Sequence, residues 1–369
     1  MKRVIMTAKH LDAGGVETFI TSFYPYIDKN KYSIDFLITK KYEDDSKGYY
    51  EDELVAQGAH IYRISSKNKS VLRAYKDLKK FFVEHPEYEI FHINDGGGAA
   101  FPLYIASKFS NCRCIVHSHS TDSKRWKQNV IMTLFRKYVV SRAYCIGCAQ
   151  EAAEWMFGKK AEYKLLHSGI DTKKYTYSEQ NRKRIRDEYK IDENTFVIGH
   201  VGRFNIHKNH EFLIDIFKDY LTVNSDSKLM LLGIGELEQK IKQKALDYSI
   251  SDKVIFVGNS KQVERYLSAM DLFLFPSLSE GLSVALIEAQ ANGLPCLISD
   301  SIPKENHITE LVHQKSISAI TEEWITEIEN MRKQANKKRD TYALEIKEKG
   351  FDRENTARRL MEMYEDITS

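Results

Sequence analysis

The chain has 369 residues, 42% of them apolar and 29% charged, a length and balance that suit two ordinary globular domains and exclude extended disorder. No apolar run approaches the roughly 18 residues that cross a membrane, and Val4-Ile5-Met6 after Lys2-Arg3 is too short for the apolar part of a signal peptide, so the expected location is the cytoplasm. The net charge of +3 is uneven: residues 1–168 carry 26 Lys and Arg against 19 Asp and Glu and the remainder 29 against 33, and a basic first half points to an acidic surface such as an anionic membrane.

In chain order, Val4–Thr7 reads as a strand, and the Gly14-Gly15 turn leads into a helix from Val16 to about Tyr26. Ile34–Ile38, Ile90–Ile93, Ile115–His117 and Tyr144–Ile146 are further strands with helical stretches between them. No low-complexity linker follows, and the two halves are expected to join near Leu166–Asp171. The second half repeats the scheme more sharply. Strands at Phe196–Gly202, Lys228–Leu232, Val254–Val257, Leu272–Phe275 and Cys296–Ile298 alternate with helices at His210–Tyr220, about Glu236–Tyr248, Gln262–Ala269 and Leu282–Ala291. Apolar strands without period-two alternation, separated by helices, make a parallel sheet covered on both faces. The fold class is therefore α/β, with two Rossmann-like, doubly wound domains. The segment Ile308–Asn330 gives no clear pattern, and Arg353–Asp366 is an amphipathic helix with Ala357, Leu360, Met361 and Tyr364 as its stripe.

Cys145 and Cys148 have the two-residue gap of a zinc knuckle, with Cys112 and Cys114 as imaginable partners. Because Cys145 lies in an apolar run, and Cys112 and Cys114 share one face if Cys112–Val116 is a strand, reduced core thiols are expected instead.

Ligands of doubly wound domains sit beyond the carboxyl ends of the strands, so residues that directly follow strands are the candidates. Gly14-Gly15 opens a helix whose N–H groups suit a phosphate; an ordinary glycine turn is the other reading, and a GxGxxG fingerprint is absent. Val201-Gly202-Arg203-Phe204-Asn205-Ile206-His207-Lys208-Asn209 follows the first strand of the second domain. Its Arg203 and Lys208 either neutralise a diphosphate as a glycosidic bond breaks or are solvated surface charges. In Glu280-Gly281-Leu282-Ser283-Val284-Ala285-Leu286-Ile287-Glu288, Glu280 stands at the mouth of a helix and Glu288 two turns on, roughly 12 Å along the axis. That exceeds the about 10 Å within which two carboxylates act on one bond, but it suits a grip on two ends of an elongated ligand. Glu280 would take sugar hydroxyls and Glu288 ribose hydroxyls, with the Leu282 and Ser283 amides facing a phosphate between them. A Glu280 that only complements the helix dipole is the alternative; it explains Glu288 poorly, whose neighbours Leu286, Ile287 and Ala289 suggest a mostly buried helix.

Together these residues resemble the retaining family-4 glycosyltransferases of GT-B fold: Glu280 and Glu288 with seven residues between, Gly202-Arg203 with Lys208, and Gly14-Gly15-Val16-Glu17. His117-Ser118-His119-Ser120 and Ile298-Ser299-Asp300-Ser301-Ile302-Pro303 are similar to the branch that makes bacterial capsular polysaccharide and exopolysaccharide. The resemblance covers about residues 1–305, and Phe351-Asp352-Arg353 with the last helix fits the family's crossover back to the first domain. It implies a GT-B fold with a deep interdomain cleft, an acceptor-binding domain over residues 1–168 completed by 353–369, and a donor-binding domain over 169–352. The implied donor is a nucleotide-sugar, a UDP-sugar by analogy with that branch. Arg203 and Lys208 would bind its diphosphate, with a backbone contact from Gly15, and Glu288 its ribose. Glu280 with Gly281, Leu282 and Ser283 would hold the transferred sugar, while Gly233 and Gly258-Asn259 flank the base. His119 would touch the sugar near the reacting carbon; a histidine that buttresses its loop is the other reading, and His117 is a less favoured substitute. The implied chemistry is same-face displacement with retention, the acceptor proton passing to a leaving phosphate oxygen, with no cofactor and no metal. No DxD cluster stands beside the donor motifs, and Asp12 and Asp44-Asp45 are isolated or surface-like. The sequence departs from the family at His167-Ser168-Gly169-Ile170-Asp171, where many relatives have asparagine before the glycine, and in lacking a glycine-rich stretch after Pro303.

The acceptor, a glycan or lipid-linked glycan, is barely written in the sequence. Lys67, Lys69, Arg73, Lys76, Lys79 and Lys80 interleave with Val71, Leu72, Leu78, Phe81 and Phe82. Lys124, Arg125, Lys127, Arg136 and Lys137 do so with Trp126 and Phe135. Docking on an anionic membrane and a core-facing helix with a solvated basic side are both open. No nucleic-acid partner is expected. The rival readings are a nucleotide-sugar epimerase of the same fold, a nicotinamide-dependent dehydrogenase disfavoured by the missing fingerprint, and a non-catalytic sugar-binding protein.

Overall fold

The structure, a computed structural model, describes residues 1–12, 15–39, 47–94, 98–119, 130–334 and 338–369. Gly14, Asp44, Asp45, Ser120, Lys124, Arg125, Trp126 and Lys127 lie outside the described residues. The chain divides into two compact units, Met1–Gly169 with Arg353–Ser369, and Ile170–Asp352.

The first unit is built on a parallel sheet of β1 (Lys2–Ala8), β2 (Tyr32–Thr39), β3 (Ile61–Ile64), β4 (Ile90–Asn94), β5 (Arg113–Ser118), β6 (Tyr144–Gly147) and β7 (Lys164–Leu165), in the order β3-β2-β1-β4-β5-β6-β7. Successive strand side chains go to opposite faces, and both faces are covered, so the run reads as apolar throughout. Val4, Met6 and Ala8 pack with Phe19, Phe23, Leu360 and Tyr364, whereas Ile5 packs with Leu78, Phe82 and Leu103 on the other side. The C-terminal helix Arg353–Thr368 therefore completes the first core, burying Ala357, Leu360, Met363 and Tyr364, with Met361 at its flank. The helix after β1 spans Gly15–Phe23 and tightens into a 3-10 turn at Tyr24–Tyr26, because Pro25 has no N–H to continue the ladder.

The second unit is a parallel sheet of β8 (Phe196–Val201), β9 (Ser227–Leu232), β10 (Val254–Gly258), β11 (Leu272–Phe275), β12 (Cys296–Ser299) and β13 (Val312–Lys315), in the order β10-β9-β8-β11-β12-β13. The patternless segment Ile308–Asn330 supplies β13 and most of the helix Thr321–Gln334. Only Val312 of β13 is buried, so this edge strand lacks the apolar run that marks the others.

Each sheet reverses its direction of growth once, between β1 and β4 and between β8 and β11. The carboxyl ends of the strands beside such a switch point leave an open crevice, where this architecture admits ligands. In the helix Val71–Glu84, Ala74, Leu78, Phe81 and Phe82 turn inward, while Val71, Leu72, Lys76, Lys79, Lys80 and Val83 face out. Cys114, Cys145, Cys148 and Cys296 are buried thiols and Cys112 is half-buried. Among the described residues no helix is long and apolar enough to cross a membrane.

Candidate functional site

At the switch point of the second sheet the loops that follow β8 and β11 are tied together. The Leu278 N–H donates to the His207 carbonyl at 2.7 Å, and the Asn209 side chain donates to the Pro276 carbonyl at 3.1 Å. Asn205 caps the 3-10 turn Ile206–Lys208 by accepting from the Lys208 N–H, and Asn209 then turns the chain at φ 53°, a left-handed conformation that asparagine tolerates. Lys208 is thereby folded back over Gly202, where an added Cβ would lie 3.2 Å from Lys208 Cδ and 2.9 Å from His200 Nε2. Its Nζ sits 4.6 Å from the Phe275 ring centroid and 2.7 Å from Glu280 Oε1. The two side chains are 17% and 12% exposed, so this is a held pair and not a solvated one.

Two histidines lie beneath the pair. The Leu274 carbonyl can only accept, so His200 donates to it from Nδ1 at 2.9 Å and keeps a lone pair on Nε2, which has no hydrogen-bond partner among the described residues. Burial holds His200 well below the usual histidine range. His210 stacks on Phe204 at 4.2 Å and is pushed down to about 4, by burial first and by Lys208 second. Both rings are neutral near pH 7, so neither competes with Lys208 for an anion.

Beside this loop the strand ends form a row of glycines. Gly233 has φ +138°, and a Cβ there would come 2.1 Å from the Gly202 carbonyl oxygen. The Gly233 N–H donates to Gly258 and the Gly202 N–H to Leu232, both at 2.9 Å, which aligns Gly202, Gly233 and Gly258 at the ends of β8, β9 and β10, with Asn259 exposed just beyond. Arg203 is 71% exposed and reaches Glu236 at 3.3 Å, a solvated pair at the rim.

On the β11 side the helix Val284–Ala291 starts two residues later than expected, because Ser283 is extended at φ −87°, ψ 110°. The Ser283 N–H donates to Asn306 Oδ1 at 2.8 Å, so this amide is committed to the protein's own structure. Asn306 Nδ2 donates in turn to the Gly281 and Pro303 carbonyls. Gln290 donates to the Asn306 carbonyl and accepts from the Ile308 and Thr309 N–H groups. Both side chains are fully buried and neither is singled out by the sequence; the available signal was Gln290 standing between Ala289 and Ala291 in an apolar helix. Leu286, Ile287 and Ala289 are buried, while Glu288 shares the half-buried face with Val284 and Ala285, one turn from the helix start. Gly281 is exposed, with open space where a Cβ would go, and Leu282 is half-buried.

In the first unit Gly15 is the first residue of its helix. His119 follows β5, half-buried, its ring 3.9 Å from His117 and 5.0 Å from Phe19. Asn94 donates from Nδ2 to the Thr7 carbonyl at 3.1 Å, which turns its Oδ1 toward His119 Nε2 at 2.8 Å. His119 must then donate from Nε2 and carry its lone pair on Nδ1. Burial pushes His119 down to about 3. His117 is fully buried within β5, with Nδ1 3.3 Å from His92 Nε2, and His92 Nδ1 lies 2.9 Å from the Tyr364 hydroxyl, so this part of the histidine cluster is internal. Among the described residues no group of three or more His, Cys, Asp and Glu side chains is arranged to hold a metal ion.

Residues 181–341 match the family model described as Glycosyl transferases group 1. The chain is 28% identical to EpsF of Bacillus subtilis (strain 168), named as a glycosyltransferase, over 98% of this chain and 96% of that protein. It is 26% identical to the UDP-Gal:alpha-D-GlcNAc-diphosphoundecaprenol alpha-1,3-galactosyltransferase of Escherichia coli, over 63% of this chain and 62% of that one. Among solved structures, Alr3699/HepE of Anabaena in complex with UDP aligns at a TM-score of 0.81 and 17% identity, covering 99% of this chain and 100% of the other. The two parallel α/β units are those of the GT-B fold.

Proposed function

We propose that this chain, a glycosyltransferase of GT-B fold carrying the group 1 domain, moves a sugar from a UDP-sugar to a lipid-linked glycan in bacterial exopolysaccharide or capsular polysaccharide synthesis, with retention of configuration and without a bound metal. The observation that carries it is the Lys208–Glu280 pair, seated on Phe275 at the switch point of the second sheet. The Escherichia coli relative, whose name specifies a UDP-galactose donor and a diphosphoundecaprenol acceptor, and the UDP complex of HepE support the choice of substrates.

An ammonium has three N–H donors, so Lys208 keeps Glu280 and offers another to a diphosphate oxygen. Arg203 leaves its solvated partner Glu236 for the same diphosphate. The glycine row at Gly233 and Gly258, with Asn259, lets the base approach the strand ends. Glu288 accepts from the ribose hydroxyls. Glu280, Gly281 and Leu282 hold the transferred sugar, while Ser283 acts through Asn306 to shape that turn. As the bond from the sugar carbon to the diphosphate breaks, charge grows on the leaving phosphate oxygen, and Lys208 with Arg203 offsets it. The acceptor hydroxyl enters on the same face and gives its proton to that oxygen. His119, neutral with Nδ1 as acceptor, is assigned to a hydroxyl of the transferred sugar.

The helix Val71–Glu84 is the candidate for peripheral docking on the inner face of the cell membrane. Val71, Leu72 and Val83 are 61%, 64% and 62% exposed beside outward Lys76, Lys79 and Lys80. Co-sedimentation with vesicles should then rise with anionic lipid and fall in Lys76→Glu/Lys79→Glu; sedimentation indifferent to lipid charge would remove this part.

The reaction itself is tested by incubating the full chain with a UDP-sugar and a lipid-linked diphosphate sugar in the presence of EDTA. The product should carry the donor's anomeric configuration by NMR. An inverted product, activity lost on chelation, or an epimerised sugar formed without acceptor would overturn the corresponding part.

A further inference from the structure

We infer that Ser299 and Ser301 are positioning residues for the Lys208–Glu280 pair, acting through a run of hydrogen bonds that crosses two peptide groups. This rests on the transferase reading and goes deeper into the same site.

The segment Ile298-Ser299-Asp300-Ser301-Ile302-Pro303 leaves the carboxyl end of β12. Ser299 is the last residue of the strand, and residues two apart on an extended chain point the same way. Asp300, between the two serines, is fixed to the chain at β13. Its N–H donates to the Lys315 carbonyl and its Oδ1 accepts from the Ile317 N–H, both at 2.9 Å. Both serine hydroxyls thereby reach the Ser277 carbonyl, Ser301 at 2.6 Å, and they lie 2.8 Å from each other. Each hydroxyl has one proton to give. Two protons shared among three oxygens leave at least one hydroxyl donating to the carbonyl in every arrangement, so the two serines back each other up. Ser277 is fully buried, where a carbonyl left without a donor is costly.

The peptide group that carries this carbonyl also carries the Leu278 N–H, which donates to the His207 carbonyl at 2.7 Å. The peptide group of that second carbonyl carries the Lys208 N–H, which donates to Asn205 Oδ1 at 3.1 Å. The bonds therefore run head to tail from the serines, through the loop that leads to Glu280, to the backbone of Lys208. Bonds in such a run polarise one another, and a held carbonyl fixes the plane of its whole peptide group. Lys208 Nζ lies 2.7 Å from Glu280 Oε1, so rotation of either peptide would move the ammonium from the place where it meets a leaving phosphate.

The test combines initial rates, with a UDP-sugar and a lipid-linked diphosphate sugar, and hydrogen exchange at the Leu278 amide, on the full chain and its variants. Ser299→Ala and Ser301→Ala each keep one donor, so each should lose less than about threefold in kcat/KM. Ser299→Ala/Ser301→Ala should lose about tenfold or more in kcat, beyond the product of the single losses. Its Leu278 amide should exchange about tenfold faster. In the Ser299→Ala chain, Ser301→Thr and Ser301→Val add the same bulk at an exposed residue and differ in the hydroxyl. The threonine chain should keep rate and protection, and the valine chain should lose both. In a Lys208→Ala chain the double alanine change should cause no further loss of rate. Single losses that merely multiply, valine as good as threonine, or an undiminished loss on top of Lys208→Ala would overturn the inference. Exchange that behaves as expected in a chain that transfers no sugar removes the transferase reading and leaves the positioning of the Lys208 loop. Normal transfer with a Leu278 amide indifferent to both serines removes this inference alone.

Discussion

Lys208 and Glu280 lie 72 residues apart, and each is recognisable because it stands in the loop between a strand and the next helix. Their direct pairing was not legible, since Lys208 is read from its loop after the first strand of the second domain and Glu280 from its spacing to Glu288 along one helix, and neither carries information about a contact across two loops. His200, His210 and Asn306 were equally silent: a buried polar side chain is defined by partners distant in sequence, and nothing local marks it. Replacing Lys208 by alanine removes the cation nearest the proposed leaving group. Turnover should fall by about 10²-fold or more in a variant that still folds, with a lowered melting temperature because Glu280 loses its partner, as measured by initial rates and calorimetry. Loss of folding with no specific loss of rate would make the pair structural. Gly233→Ala forces a Cβ into the Gly202 carbonyl at a positive φ. It should cost about 2 kcal/mol or more in urea unfolding; a variant as stable as the native protein would show that the strand-end row is not as tight as described.

The helix Val284–Ala291 carries Glu288 and follows the turn that carries Glu280, Gly281 and Leu282, and its position is set from outside itself. Gln290 and Asn306 pin it to the segment before β13, so Glu280 and Glu288 keep their places only while that bracket holds. Gln290→Ala leaves the Ile308 and Thr309 N–H groups buried without their acceptor. The expected loss is about 2–4 kcal/mol in urea unfolding, together with weaker nucleotide-sugar binding, since unsatisfied buried donors cost about 1–3 kcal/mol each. Unchanged stability and affinity would mean the bracket does not position the site. The central strands of both sheets were legible because burial on two faces makes them continuously apolar. β3, β7 and β13 were not, being short or half-exposed at the sheet edges. In Val71–Glu84 the sequence left the direction of the apolar residues open; the structure turns Leu78, Phe81 and Phe82 inward and leaves Val71 and Leu72 outside.

Among the described residues burial holds seven histidines below their usual range, His167 and His307 among them, and five are shifted far. Burial pushes His92 and His119 down to about 3 and His210 to about 4, and holds His117 and His200 well below their ordinary value. Below about pH 6.5 the unfolded chain binds protons that the folded chain refuses, so stability present above that pH is lost as the pH falls toward 3. Each such group contributes a slope of up to about 1.4 kcal/mol per pH unit. The melting temperature should be level between pH 7 and 8 and fall steeply below pH 6; an equal melting temperature at pH 7 and pH 4.5 would show that these rings are not held neutral. Both units repeat one plan, a parallel sheet with a single switch point, and that plan was readable from strand–helix alternation alone. The ligand chemistry proposed at the switch point of the second sheet depends on side chains that meet only after folding. The most direct test of the donor site is a thermal-shift panel of UDP-, GDP- and ADP-sugars on the native chain, Lys208→Ala and Glu280→Gln. Ligand at 100 times its dissociation constant stabilises by about 2.7 kcal/mol. The account predicts a clear rise with a UDP-sugar that both variants lose; no rise with any nucleotide-sugar, or a rise undiminished in both variants, would contradict it.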